Sequence, residues 1–273
     1  MAGVLLLTAA SLRPDHTAGP CALISGPALL PDIPESSGLA VSRRTPGLIW
    51  SHNDSGHESL LFAFDASGSI RGRVRVPIRT RDWEDVSAAR CPSGSCLLIA
   101  DIGDNGLSRR RVTIARVPEP APGDAVTTAP EVFNAAYDDG RHNAEAMFVL
   151  GGDLFIVTKD RVGAVYRSAP GDARNEIVFT RIGRLGLEAV TDAEASPDEK
   201  TVVVRTSHEA VLYRAADVVG GTSEPFARIP LDGLKEPQGE GVALDANALL
   251  YLSSEGGPWN RSGRLLTLRC PTP

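Results

Sequence analysis

Arg81-Asp82-Trp83-Glu84-Asp85-Val86-Ser87-Ala88 joins an acidic pair to a short apolar alternation, and the chain uses this pattern more than once. Asn143-Ala144-Glu145-Ala146-Met147-Phe148 and Gln238-Gly239-Glu240-Gly241-Val242-Ala243 are close copies, while Ser36-Ser37-Gly38-Leu39-Ala40-Val41 carries serine in place of the glutamate. Alternation with a period of two marks a strand rather than a helix. Aligned on Leu39, Val86, Met147, Ala195 and Val242, the copies stand 47, 61, 48 and 47 residues apart. That period is the length of a four-stranded propeller blade. The Pro-rich insertion from Val117 to Pro130 accounts for the one long interval. In the fourth copy both Leu187-Glu188-Ala189-Val190 and Ala193-Glu194-Ala195-Ser196 fit an inner strand; regular spacing favours the second and leaves Glu188 in the preceding connection.

Each copy is followed by the same order of segments. A strongly apolar run comes next, such as Leu97-Leu98-Ile99-Ala100 or Leu154-Phe155-Ile156-Val157, then a third run such as Val211-Leu212-Tyr213, then a more polar fourth such as Ile177 to Ile182. Most of the 27 glycines and 20 prolines fall between these runs, where turns are needed. The fifth copy ends before its fourth strand, and Ala22-Leu23-Ile24-Ser25 is the strand that completes it. Joining the first strand to the last closes the ring and removes open edges. The expected fold is all-β, a five-bladed β-propeller with six blades as the alternative, forming one domain over residues 21–273 behind a leader or degenerate signal segment at 1–20.

Four cysteines agree with this closure. Cys91 and Cys96 bracket the turn Pro92-Ser93-Gly94-Ser95, while Cys21 and Cys270 lie near opposite ends of the chain. Read as a local and an end-to-end disulfide, they imply an oxidising, secreted or extracytoplasmic setting. A bond from Cys21 to Cys270 would constrain nearly the whole unfolded chain, an entropic effect of about 5 kcal/mol.

With 34 acidic and 28 basic residues in 273, the formal net charge is -6 and no basic stripe exists, which argues against nucleic-acid and anionic-membrane partners. No stretch reaches the roughly 20 apolar residues of a membrane span. The expected partner is a small-molecule ligand or substrate, and the expected state is monomeric. Gly-x-Ser-x-Gly, phosphate-binding and dinucleotide-binding glycine motifs are all missing, which disfavours covalent serine catalysis.

In a propeller the connections into the inner strands and out of the second strands meet around one mouth of the channel. Here they bring Glu84 with Asp82, Glu145 with Asn143, Glu240, His52, Asn53, Asp54, Asp101, Lys159, Arg205 and Glu255. Carboxylates gathered in one funnel stay ionised only when a cation compensates them. Oxygen ligands of this kind suit Ca2+. The expected metal ligands are Glu84, Glu145, Glu240, Asn53 and Asp101; the expected catalytic groups are Glu145, Lys159 and Arg205. The competing reading makes each glutamate a structural hydrogen-bond partner of the next blade.

The phrases Glu35-Ser36-Ser37-Gly38-Leu39-Ala40, Trp50-Ser51-His52-Asn53-Asp54-Ser55-Gly56, Asp82-Trp83-Glu84-Asp85 and Ile102-Gly103-Asp104-Asn105 resemble exported bacterial β-propeller proteins. That group is distantly similar to the phytase-like, NHL-like and strictosidine-synthase-like propellers. The resemblance implies calcium in the channel and hydrolysis of an ester, lactone or phosphoester, with a glutamate as general base. The alternative is a non-enzymatic propeller that binds a small ligand, glycan or protein on the same face.

Overall fold

Short runs rich in Val, Ile, Leu and Phe, each bounded by Gly, Pro or Asp turns, become strands in the computed structural model, which describes residues 17–18, 20–54, 56–92, 94–168, 176–222, 224–258 and 261–270. The expectation of a leader at 1–20 falls almost wholly outside these residues. After β1 (Thr17–Ala18) and β2 (Cys21–Leu30), the strands run in consecutive antiparallel groups of four. The first is β3 (Ser36–Val41), β4 (Leu48–Asn53), β5 (Leu60–Asp65) and β6 (Ile70–Arg75). Next come β7 (Asp85–Cys91), β8 (Gly94–Asp101), β9 (Val112–Pro118) and β10 (Glu131–Tyr137), then β11 (Ala144–Leu150), β12 (Asp153–Thr158), β13 (Ala164–Ser168) and β14 (Glu176–Arg184). The fourth group is β15 (Val190–Ala195), β16 (Thr201–Thr206), β17 (Glu209–Arg214) and β18 (Pro225–Pro230). Finally β19 (Gln238–Leu244), β20 (Leu249–Glu255) and β21 (Gly263–Arg269) are completed by β2, which pairs antiparallel with β21. The outer strands β10 and β14 pair in parallel and fuse two groups into one eight-stranded sheet.

The first strands of successive groups pack side by side, β3 on β7, β7 on β11, β11 on β15, β15 on β19, and β19 back on β3. This all-β arrangement is that of a β-propeller. Its apolar core lies in the seams between successive sheets rather than at the centre. Trp50, Trp83, Val86 and Ile99 fill one seam; Met147, Ile156, Tyr166 and Phe179 belong to the next. Phe148, Phe155 and Val202 follow, then Val203, Leu252 and Leu268, and finally Leu39, Phe62 and Leu265. Second strands are buried on both faces and therefore read as continuous apolar runs, as in Thr201-Val202-Val203-Val204. Each buried aliphatic or phenyl side chain contributes roughly 1.5–3 kcal/mol.

Both expected disulfides are formed, Cys21–Cys270 across the closing sheet and Cys91–Cys96 across the β7–β8 turn. Among the described residues no helix is long and apolar enough to cross a membrane. The Pro-rich insertion reaches over the first sheet. Arg75 bridges Val126, and the Pro122 carbonyl lies so close to Gly72 that a Cβ there would collide with it.

The register of the fourth inner strand differs from expectation. β15 begins at Val190, and Asp192, not Glu194, is the counterpart of Asp85, because both carboxylates accept a hydrogen bond from a backbone N–H of a neighbouring inner strand, Met147 for Asp85 and Val242 for Asp192. Glu188 does lie in the preceding connection, exposed. Glu194 sits fully buried farther down the channel. The repeat spacing misled because the strand starts with a register break between Val190 and Asp192 that periodicity cannot register.

Candidate functional site

Inner strands carry a register break at the same end, between Ser36 and Leu39, Ala144 and Ala146, Val190 and Asp192, and Gly239 and Val242. A bulge leaves a residue out of the ladder and re-aims its side chain. The residues skipped include Ser37, Glu145, Thr191 and Glu240, so the breaks turn the repeated position toward the channel mouth. Glu84 reaches the same level from the residue just before β7.

Around this mouth Asp54, Asp82 and Glu84 each offer a carboxylate oxygen, and the three oxygens lie within 4.8 Å of one another. Glu84 is only 6% exposed. Burial first, and then the charges of Glu145, Asp54 and Asp82, push its pKa up to about 10. Gly103 makes the approach feasible, since a Cβ there would collide with both the Glu84 and Asp82 carboxylates. Beside them Lys159 Nζ forms an ion pair with Glu145. Burial raises the Glu145 pKa to about 7 despite that lysine. Burial alone would lower the Lys159 pKa, but attraction to Glu145, then Glu240 and Glu84, outweighs it and the value is raised. Glu240, raised chiefly by burial, accepts a hydrogen bond from Gln238 Nε2 at 2.8 Å. Glu255 completes the rim, pushed up to about 7 by burial and by Glu240 and Asp54.

Three of the residues expected at the site do other work. Asn53 Oδ1 accepts from the Glu35 N–H at 3.1 Å and its Nδ2 donates to the Asp32 carbonyl at 3.3 Å, so the amide ties two loops together. Its neighbour Asp54 is the one that joins the cluster. Asp101 pairs with Arg109 at 2.7 Å and accepts the N–H groups of Arg81 and Asp82 at 2.8 and 3.2 Å. It therefore holds the segment that carries Asp82 and Glu84. Arg205 is fully buried, donating to the Gly241 and Ser253 carbonyls at 2.7 and 2.9 Å and to Glu236 Oε2 at 2.6 Å. Its guanidinium braces β19 against β20 below the mouth. His52 is buried too, with Nδ1 bonded to the Asn53 carbonyl at 2.9 Å and a pKa pushed down to about 4 by burial, hence a neutral ring. The turn Asp101 to Asn105, which has the look of a calcium loop, is closed by Asp104 accepting from the Ser108 and Arg109 N–H groups at 2.8 and 2.7 Å.

One layer deeper lies a pair that the sequence reading did not single out. Asp85 and Asp192 are fully buried and hydrogen-bonded to each other. Asp85 Oδ2 accepts from Met147 N at 2.6 Å; Asp192 Oδ2 accepts from Leu39 N at 3.2 Å and from Val242 N. Two carboxyl groups thus bind all the inner strands, β3, β7, β11, β15 and β19, across the channel axis. Two negative charges in that setting would repel, and burial raises both pKa values, so the pair holds one shared proton. Asp85 Oδ1 meets no donor among the described residues, so nothing there offsets a charge on it and the shared proton is better held by Asp85 than by Asp192, whose Oδ2 accepts two N–H groups. The signal for this pair was the second acid of Glu84-Asp85, but its partner Asp192 was hidden by the bulge.

Neither a protein-family model nor a curated protein sequence matches the chain. Among solved structures, a protein from Bacteroides uniformis ATCC 8492 described as a 6-phosphogluconolactonase is similar with a TM-score of 0.43 and 17% identity, over 85% of this chain and 66% of that one. U3-55K is similar with a TM-score of 0.43 and 14% identity, over 86% of this chain and 67% of its own. For the Dos1 propeller the TM-score is 0.38 and the identity 10%, over 80% and 53%. The chain spans about two thirds or less of the length of each of these proteins.

Proposed function

We propose that this chain is a five-bladed β-propeller of the extracytoplasmic space whose acidic mouth binds a divalent cation, and that the same mouth hydrolyses a small ester, lactone or phosphoester. The observation that carries the reading is the convergence of Asp54, Asp82 and Glu84 on one point. The donor set is all oxygen, as calcium prefers. Without a cation, Glu84 is a carboxyl held protonated far above its ordinary range first by burial and then by its acidic neighbours; a divalent ion replaces that proton and relieves the repulsion. Glu145 acts electrostatically on Glu84 and Glu240 on Glu145, and both would join the shell through water. Two disulfides and the compensated acid funnel are compatible with an oxidising, calcium-rich environment.

A bound cation would supply Lewis-acid polarisation of a substrate carbonyl or phosphoryl oxygen. The protein's own part is proton handling and orientation. Glu145, with a pKa near 7 and a hydrogen bond from Lys159, is suited to take a proton from water, and Lys159 to hold an anionic substrate oxygen. Arg205 acts by bracing the wall rather than by touching substrate.

The test is calorimetric titration of calcium into chelator-treated protein, followed by turnover on ester, lactone and phosphoester substrates with and without calcium. Saturable binding that is lost in Glu84→Gln, with turnover that needs calcium and falls in Glu145→Gln, is the expected result. No calcium binding would overturn the cation site. Binding without turnover would leave a propeller whose cation is structural and whose face serves recognition.

A further inference from the structure

At the opposite end of the channel, where the turns between first and second strands gather, a cavity of about 860 Å³ opens. Its character is the reverse of the acidic mouth. Arg43, Arg44 and Arg90 line it, opposed by Glu119 and Asp245. Three guanidinium groups around one cavity stand out in a chain whose formal net charge is -6.

Each of the two acids has at least one oxygen engaged, while Glu119 Oε2 is buried with no hydrogen-bond donor among the described residues and faces the arginines. Asp245 Oδ1 accepts the Asn247 and Leu249 N–H groups of its own turn at 2.8 Å. Glu119, delivered by the Pro-rich insertion, accepts on Oε1 from Trp50 Nε1 at 3.0 Å and from Ser42 Oγ. The arginines retain free donors. Arg43 has a side chain only 9% exposed, forms an ion pair through Nη1 with Glu199 Oε1 at 3.7 Å and is attracted to the buried Glu194, yet that Nη1 has no hydrogen-bond acceptor among the described residues. Arg44 uses one nitrogen, Nη1, on the Glu119 carbonyl at 2.9 Å. Arg90 is exposed, with neither ion pair nor side-chain hydrogen bond among the described residues. A buried guanidinium N–H without an acceptor is costly, and five-donor guanidinium groups match the paired oxygens of carboxylates and phosphates. The volume is that of a site for a whole small molecule rather than for a single ion.

We propose that this cavity is a binding site for a small organic anion carrying a carboxylate or phosphate group, held by Arg43, Arg44 and Arg90. The site is independent of the acidic mouth, from which the Asp85–Asp192 pair separates it along the channel. The two ends of one channel are therefore built for ligands of opposite charge.

Calorimetric titration of the full chain at low ionic strength, with inorganic phosphate and with citrate as probes, tests this. Saturable binding of at least one probe is expected, weakened at least about tenfold in Arg90→Glu and in Arg44→Glu. Arg90 is exposed and makes no side-chain bond among the described residues, so Arg90→Glu keeps the wild-type thermal midpoint, whereas Arg44→Glu also gives up its bond to the Glu119 carbonyl; Glu84→Gln at the other mouth leaves the anion affinity unchanged. Tighter binding of citrate would identify the carboxylate class, and of phosphate the phosphate class. Failure of both probes to bind, or binding that persists unchanged in Arg90→Glu, would overturn the proposal.

Discussion

The channel holds two sets of acids one residue apart in sequence, and they behave differently. Glu84 and Asp85 are neighbours, yet Glu84 faces Asp82 and Asp54 at the mouth while Asp85 turns inward to Asp192. In the inner pair both Oδ2 atoms are matched to backbone N–H groups, of Met147 for Asp85 and of Leu39 and Val242 for Asp192, and Asp85 Oδ1 alone meets no donor among the described residues. At the mouth the acids face one another, with Lys159 as the nearby cation. Burial alone does not make a functional site. The proposed cation is therefore assigned to the acids that face one another and not to the pair held by backbone N–H groups.

The largest effect is expected on the inner pair. Asp192→Asn can keep one oxygen for the Leu39 and Val242 N–H groups only by turning its NH2 on the Ala193 N–H, which Oδ1 accepts at 2.7 Å, and should cost about 3–5 kcal/mol in urea unfolding. A cost under about 1 kcal/mol would show that the inner strands are not held through this carboxylate. At the mouth the sign of the response should differ, with Glu84→Gln losing calcium and little intrinsic stability. Asp101→Asn should weaken calcium binding by a smaller factor, because Asp101 positions Asp82 without being a ligand; equal losses in titration would place both in the shell.

The two sets also separate by pH. Glu194 in the channel and Glu255 at the rim both have folded pKa values above their ordinary 4.5, so the folded state binds more protons than the unfolded and stability falls as pH rises. Glu255 contributes between pH 4.5 and about 7, and Glu194, raised chiefly by burial, adds to the fall above pH 4.5. Midpoints measured in chelator across that range should decline in the wild type and decline less in Glu194→Gln. A flat profile in the wild type would contradict the burial of these acids. The smallest effect is reserved for Asp85→Asn. Its amide can accept from Met147 and donate to Asp192, as the protonated carboxyl does, so a change under about 1 kcal/mol is expected. A loss as large as that of Asp192→Asn would assign the shared proton to the other partner.

Strand positions were legible because each is a short apolar run between Gly, Pro and Asp turns, and the strand that completes the last sheet followed from one missing run and from Cys21 and Cys270. Glu84, Glu145 and Glu240 were legible as a recurring carboxylate. Asn53 and Asp54 were harder to tell apart, because successive residues point to opposite faces where a strand gives way to a loop and a shift of one residue exchanges their roles. Arg205 read as a mouth cation, but its long side chain reaches inward to the Gly241 and Ser253 carbonyls. The Asp192 partner of Asp85 was invisible because a bulge breaks the periodicity on which the alignment rested.

By itself the sequence determined the all-β architecture, the repeat and the two disulfides, since these follow from local pattern and from the count of strands and cysteines. Tertiary structure alone decided which acids meet, which are satisfied by backbone N–H groups, and that the far end of the channel is lined by arginine. Those outcomes depend on bulges and on side chains from segments more than a hundred residues apart, such as Leu39 and Asp192, and no one-dimensional pattern records where such side chains arrive.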